Sequence, residues 1–220
     1  MIVAGLGVFG DAAAFIVDER ALLLEKTVDH LLLSGAALAI SVVVAVPVGV
    51  VLGHLHRGSF VAVNLANIGR ALPSLAVIAI GIAFLGVGFA NVTLALVVLA
   101  VPPILTNAYV AVDSVDHDAV EAAQGMGMTS WQVIRQVELP LALPLLFAGI
   151  RTATVFVVAT ATIAAIAGGG GLGDIIVNQA SYRLEGVVAA SLWVSALAFA
   201  AAALLALARR ALSPTGARGG

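Results

Sequence analysis

The chain has 220 residues, 62% of them hydrophobic and 10% charged, with a mean hydropathy of +1.15. A soluble domain carries about 45–50% apolar and about 25% charged residues, so a protein solvated on all sides is excluded. A net charge of −2 removes nucleic acid as a partner, and the absence of cysteine removes disulfide frameworks and thiolate metal sites.

With about 20 apolar residues needed per crossing, the length accommodates about five membrane spans. Scarce aromatics and abundant Ala, Val and Gly favour closely packed helices over a barrel with aromatic girdles. Met1 to Val17 is apolar but has no basic flank and is interrupted by Asp11. That argues against a cleaved signal peptide and for a segment lying on the membrane surface. The expected layout is an external interfacial segment over 1–27, a transmembrane domain over 28–208 and a cytoplasmic tail over 209–220.

The first span is expected from about His30 to Gly53, ending at the polar break His54-Leu-His-Arg-Gly58. The second covers Phe60 to Gly86, with Pro73 in its first half. The third runs from Val92 to Val112 and contains Pro102-Pro103, which should kink or shift its helix. From Asp113 to Pro140 the chain is at its most polar. A fourth span follows from Leu141 to Ala167, then a glycine-rich loop over Gly168 to Gly173, then a last span from Val187 to Ala208. If the spans alternate, Arg57, Arg135, Arg209, Arg210 and Arg218 share one side, which the positive-inside rule makes cytoplasmic. The N-terminus is then outside and the C-terminus inside.

The polar loop reads as helix, glycine hinge, helix. Asp116 can cap a helix from His117 to Gln124 that ends at Gly125 and Gly127. Thr129 with Gln132 is a capping box opening a second helix, through Trp131 to Glu138, which Leu139-Pro140 should stop. Met126 and Met128 flank the hinge with flexible thioethers suited to an adaptable contact. By these signals alone the loop is either a presented knob or an ordinary solvated connection.

Its spacing is more specific. Glu121-Ala122-Ala123, three residues, Gly127, nine residues, Val137, one residue and Leu139-Pro140 resembles the EAA loop of binding-protein-dependent ABC importer permeases, departing only in Val137 where Ile is usual. Ala66-Asn-Ile-Gly-Arg-Ala-Leu-Pro-Ser74, Pro102-Pro-Ile-Leu-Thr-Asn107, Gly125-Met-Gly-Met-Thr129, Val137-Glu-Leu-Pro-Leu-Ala-Leu-Pro144 and Ala148-Gly-Ile-Arg-Thr-Ala153 are similar to the osmoprotectant branch. The matching stretches lie between Leu31 and Asp174. Gly168-Gly-Gly-Gly-Leu-Gly-Asp174 is equally similar to methionine-importer permeases.

The resemblance implies an all-α, methionine-importer-like (type I) ABC permease fold in the bacterial inner membrane. It implies import of glycine betaine, choline, carnitine or proline betaine, with methionine or another small amino acid as the alternative cargo. It implies that the loop docks on an ATPase subunit through Glu121, Ala122, Ala123, Gly125, Met126, Gly127, Met128, Thr129, Trp131, Arg135, Leu139 and Pro140. The implied partners are an ATPase pair, an external solute-binding protein and a second permease subunit, identical or sister.

No G-x-x-x-x-G-K-[ST] sequence is present, so ATP and Mg²⁺ belong to the partner and the chain is expected to be neither an enzyme nor a cofactor binder. Gly5-Leu-Gly-Val-Phe-Gly10 and the 168–173 glycines fit G-x-G-x-x-G but lack a strand–turn–helix setting. His54 and His56 have no third ligand nearby, which argues against a metal site and for a polar span boundary. Asn67, Pro73, Ser74, Asn107, Arg151 and Thr160 are candidates for the pathway or the subunit seam. Of these Arg151 is the costliest, being about ten residues inside a span. A secondary transporter would need ionisable groups near the midplane, and the spans have almost none. A membrane scaffold is excluded only by the EAA spacing.

Overall fold

The computed structural model describes residues 2–212, with the side chains of residues 2–6, 61–63, 66, 68, 70, 164 and 212 outside the description. Most of the predicted tail, including Arg218, lies outside the described residues. Every regular element among them is helical, as a chain must be where no water can satisfy its backbone.

α1 (Ile2–Asp18) passes through Glu19 into α2 (Arg20–His54). Glu19 N–H donates to the Phe15 carbonyl and Leu23 N–H to that of Glu19, so the helical ladder crosses the junction. The expected surface segment is therefore helical, and α2 begins ten residues before the expected His30. Glu25, Lys26 and Asp29 lower hydropathy without ending a helix, since charged residues of this kind are adequate helix formers.

The second expected span is broken. α3 (Ser59–Ala71) and α4 (Ser74–Leu85) are separated at Leu72-Pro73. Pro73 lacks an N–H and pushes the residue before it out of the helical region. Its own backbone is extended (φ −72°, ψ 117°), and it caps α4 by accepting bonds from the Ala76 and Val77 amides. Four helices remain long and apolar enough to cross a membrane: Arg20–His54, Phe89–Asp113, Ser130–Ile163 and Gln179–Ala211. Among the described residues the expected five spans thus become four long helices and one broken pair.

α5 (Phe89–Asp113) runs on through Pro102 and Pro103. One turn later the Asn107 Nδ2–H donates to the Pro103 carbonyl at 2.8 Å. After the polar loop, α8 (Leu139–Thr160) tightens into a 3₁₀ segment (Ala161–Ala167). A glycine turn and the short α9 (Gly173–Val177) precede α10 (Gln179–Leu212), which is broken at Arg183 (φ 56°). Arg209 and Arg210 occupy its last turn, where cations suit the helix dipole.

The helices form two compact units. One takes in the chain up to Leu38, Leu72–Leu99 and Thr154–Ala201; the other takes in Ala39–Ala71, Ala100–Ala153 and the chain from Ala202. In the first unit Leu23, Val158, Leu172, Ile175, Ala190, Val194 and Ala198 make a buried cluster. Three polar links tie it: Lys26 Nζ to Asp174 at 2.6 Å, Trp193 Nε1–H to Thr27 Oγ1 at 2.9 Å, and His30 Nε2–H to the Val158 carbonyl at 2.9 Å.

In the second unit Val50, Ala108, Ala111, Val112, Ile134, Ala142 and Leu146 are buried together. Lipid is as apolar as leucine, so close packing rather than water exclusion holds such helices, and small residues let backbones approach. Gly53 shows how near they come. A Cβ added there would stand 2.8 Å from both the Tyr109 carbonyl oxygen and Val112 Cβ. Gly53→Val should therefore cost about 1–3 kcal/mol and lower the melting temperature of the detergent-solubilised protein. Gly35→Val, where nothing lies within 4 Å, should not.

Candidate functional site

The loop between α5 and α8 is a folded object. α6 (His117–Gly125) starts at Asp116, whose side chain accepts the Asp118 amide at 3.0 Å. It ends in a closed turn: Gly127 N–H donates to the Gln124 carbonyl and Met128 N–H to the Ala123 carbonyl. That pair of bonds is the Schellman pattern, which needs a left-handed residue after the helix. Gly127 supplies it at φ 86°. A side chain there would cost about 1–2 kcal/mol even though space around the position is open.

The turn folds the chain back so that Met128 meets the helix it has just left. Val120, Ala123 and Val133 are buried together, with Val115, Met128 and Val137 packed on them. Thr129 opens α7 (Ser130–Val133) with both halves of a capping box in place. The Thr129 amide donates to Gln132 Oε1 at 2.8 Å, and the Gln132 amide to Thr129 Oγ1.

Past Val133 the helix widens into a π turn, Ile134–Glu138, and continues directly into α8. Leu139-Pro140 was expected to stop it and does not. The Leu139 amide reaches back five residues to the Ile134 carbonyl, and a π turn is one of the ways a helix absorbs the missing proline amide. The second helix and the fourth span are therefore one unbroken rod.

The expected docking residues divide by exposure. Met126 (73%) and Trp131 (66%) stand free at the tip, with Glu121, Gly125 and Arg135 also exposed. Ala123 and Met128 turn inward and hold the knob together, Ala122 lies on the exposed face, and Leu139 and Pro140 are half-buried at its root. Glu121 pairs with His117 at 3.2 Å along its own helix.

His54 and His56, expected only to mark a polar span boundary, bond the two ends of the loop. Glu138, the spacer position of the motif, is 2% exposed, and both its oxygens lie 2.9 Å from His54 Nδ1. With the ring proton on Nδ1, His54 donates this bond and the carboxylate accepts it. His56, in a left-handed conformation (φ 48°), places its Nδ1 2.9 Å from Asp113 Oδ1. Its ring meets that of His117 edge-on at 6.4 Å. No local pattern in the sequence signals the contact, since pairing across 84 residues is not readable from spacing.

The candidate pathway residues are divided between the two units. Asn67, Asn107 and Arg151 belong to the second unit, Pro73, Ser74 and Thr160 to the first. Asn67, Pro73 and Arg151 are exposed, Ser74 and Asn107 half-buried, Thr160 buried. Asn107 packs where a Gly149 side chain would otherwise stand.

This architecture is one already seen in a solved structure. It matches a chain of the inward-facing MetNI methionine ABC transporter with a TM-score of 0.76, covering 90% of this chain and 99% of that one at 22% identity. The fold is thus all-α and of the type I ABC permease kind. Residues 45–214 match the family described as binding-protein-dependent transport system inner membrane component. The chain belongs to that family and is a multi-pass inner-membrane protein. It is 40% identical over 198 residues (90% of this chain, 91% of the relative) to the glycine betaine/carnitine/choline transport system permease protein OpuCB of Bacillus subtilis. It is 42% identical over 195 residues (88% and 90%) to the choline transport system permease protein OpuBB of the same organism.

Loss of the Thr129 cap should cost about 1 kcal/mol. In Thr129→Ala, hydrogen exchange of the amides of residues 130–133 should speed up roughly fivefold, while exchange in α5 stays unchanged.

Proposed function

We propose that this chain is the translocation subunit of an ATP-driven importer for quaternary-amine osmoprotectants such as glycine betaine, choline and carnitine. One observation carries the reading: a preformed knob in the polar loop, internally closed by Gly127 and capped at Thr129, that leaves Met126 and Trp131 uncovered at its tip. A large aromatic and a flexible thioether on a rigid base are what a protein groove selects as anchors. The kinship to choline and glycine betaine permeases supplies the cargo class.

In this reading a pair of ATPase subunits receives the knobs of two permease chains, and a solute-binding protein delivers cargo from outside. ATP closes the ATPase pair, the knobs are drawn with it, and the unbroken rod from α7 into α8 carries the displacement into the membrane. Arg57, Arg135, Arg209 and Arg210 sit on the cytoplasmic side and the N-terminus outside. Catalysis, ATP and Mg²⁺ reside on the ATPase. Recognition of the cation rests largely with the binding protein, where aromatic rings can hold a quaternary ammonium by cation–π attraction.

Trp131→Ala should reduce co-purification of the ATPase at least tenfold, about 1.4 kcal/mol, with the chain still present in the membrane. Gly127→Asp should abolish uptake of radiolabelled betaine, choline and carnitine in cells that carry the cognate binding protein. Undiminished uptake by the Gly127 variant would remove the docking role. Uptake of methionine in place of these amines would shift the cargo to a small amino acid.

A further inference from the structure

The short turn that ends α2 holds both roots of the knob. The loop leaves α5 at Asp113 and rejoins the membrane rod at Glu138. Asp113 is bonded by His56 and Glu138 by His54, two residues apart on that turn. The turn itself is closed: the His56 amide donates to the Gly53 carbonyl and the Arg57 amide to the Leu52 carbonyl. Immediately before it, Gly53 sits against the backbone of Tyr109 in α5. The turn is thereby fastened to the rest of its unit before either histidine acts.

The two clamps are unequal. The His54–Glu138 pair is sequestered, with side chains 13% and 2% exposed, whereas His56 and Asp113 are 53% and 37% exposed. Removing a carboxylate from water is costly unless it is hydrogen-bonded and paired, so the Glu138 bond must form wherever the helix end is packed. Glu138 also closes the π turn, the one stretch between knob and α8 that lacks the regular helical ladder. A wide turn is where a rod would flex, and the buried bond crosses at that place.

We infer that His54, seconded by His56, is a positioning residue that locks the knob's root to α2, so that displacement of the knob moves together the parts of α2, α5 and α8 that lie in the second unit. This inference rests on the importer reading above. Without the lock the π turn takes up the displacement, and ATP is spent without cargo moving.

The test uses the full complex of this chain with its ATPase and binding protein, reconstituted in lipid vesicles, and measures cargo imported per ATP hydrolysed. His54→Asn keeps an N–H at the position of Nδ1 and should stay within about twofold of the wild-type ratio. His54→Leu removes the donor and should lower the ratio at least tenfold, with ATP hydrolysis and ATPase co-purification retained. His56→Leu should lower it only about two- to threefold.

Should His54→Leu fail to assemble, the double variant His54→Leu, Glu138→Leu removes both polar partners and leaves nothing buried unpaired. It should assemble and be uncoupled in the same way. Wild-type coupling in His54→Leu or in the double variant overturns the inference, as does an equal loss in His54→Asn and His54→Leu. Absence of ATP-driven uptake in the wild-type complex would instead overturn the importer reading.

Discussion

Within a bilayer an unpaired backbone amide has no water to turn to, and each one left open costs several kcal/mol. That constraint shapes every element of this chain. It makes all regular structure helical, and it makes each departure from a straight helix a place where amides or carbonyls find other partners. At Pro73 the helix breaks and restarts, with the proline carbonyl capping α4. At Pro103 the helix runs on, and the Asn107 side chain donates to the carbonyl of Pro103 itself. At Pro140 the ladder widens to a π turn and the rod survives. Three prolines, three solutions, and the difference lies in what the surroundings supply.

The knob is built differently because it leaves the apolar environment. Its core is small, five valine and alanine side chains and a methionine. Directional devices do the remaining work: the Asp116 cap, the left-handed Gly127, and the reciprocal bonds of Thr129 and Gln132. Each contributes on the order of 1 kcal/mol, comparable to burying one methylene or two. Together they give a segment of some twenty-five residues one shape while leaving its tip uncovered. Rigidity beneath and an exposed apolar tip above thus fall to different residues of one loop.

Charge is used sparingly, and mostly at joints. With 10% charged residues, the chain places Lys26 against Asp174, His54 against Glu138, His56 against Asp113, and Arg183 against Glu185. The first three link segments far apart in sequence. The buried member, Glu138, ties the exit of the knob to the end of a different helix.

The sequence alone determined the membrane class, the helical elements, the caps at Asp116 and Thr129 and the hinge at Gly127, because those follow from hydropathy and from side chains bonding their own backbone a few residues away. Hydropathy located where the chain is apolar but not where its helices end, so α2 started early and the second span was missed as a broken pair. Whether Pro140 stops a helix or Pro73 breaks one depends on which carbonyls and packing partners stand nearby, and no local pattern encodes that. Tertiary structure decided that Met128 points in while Trp131 points out, and that His54 meets Glu138. Those contacts join residues the chain holds far apart, and only folding brings them within a hydrogen bond.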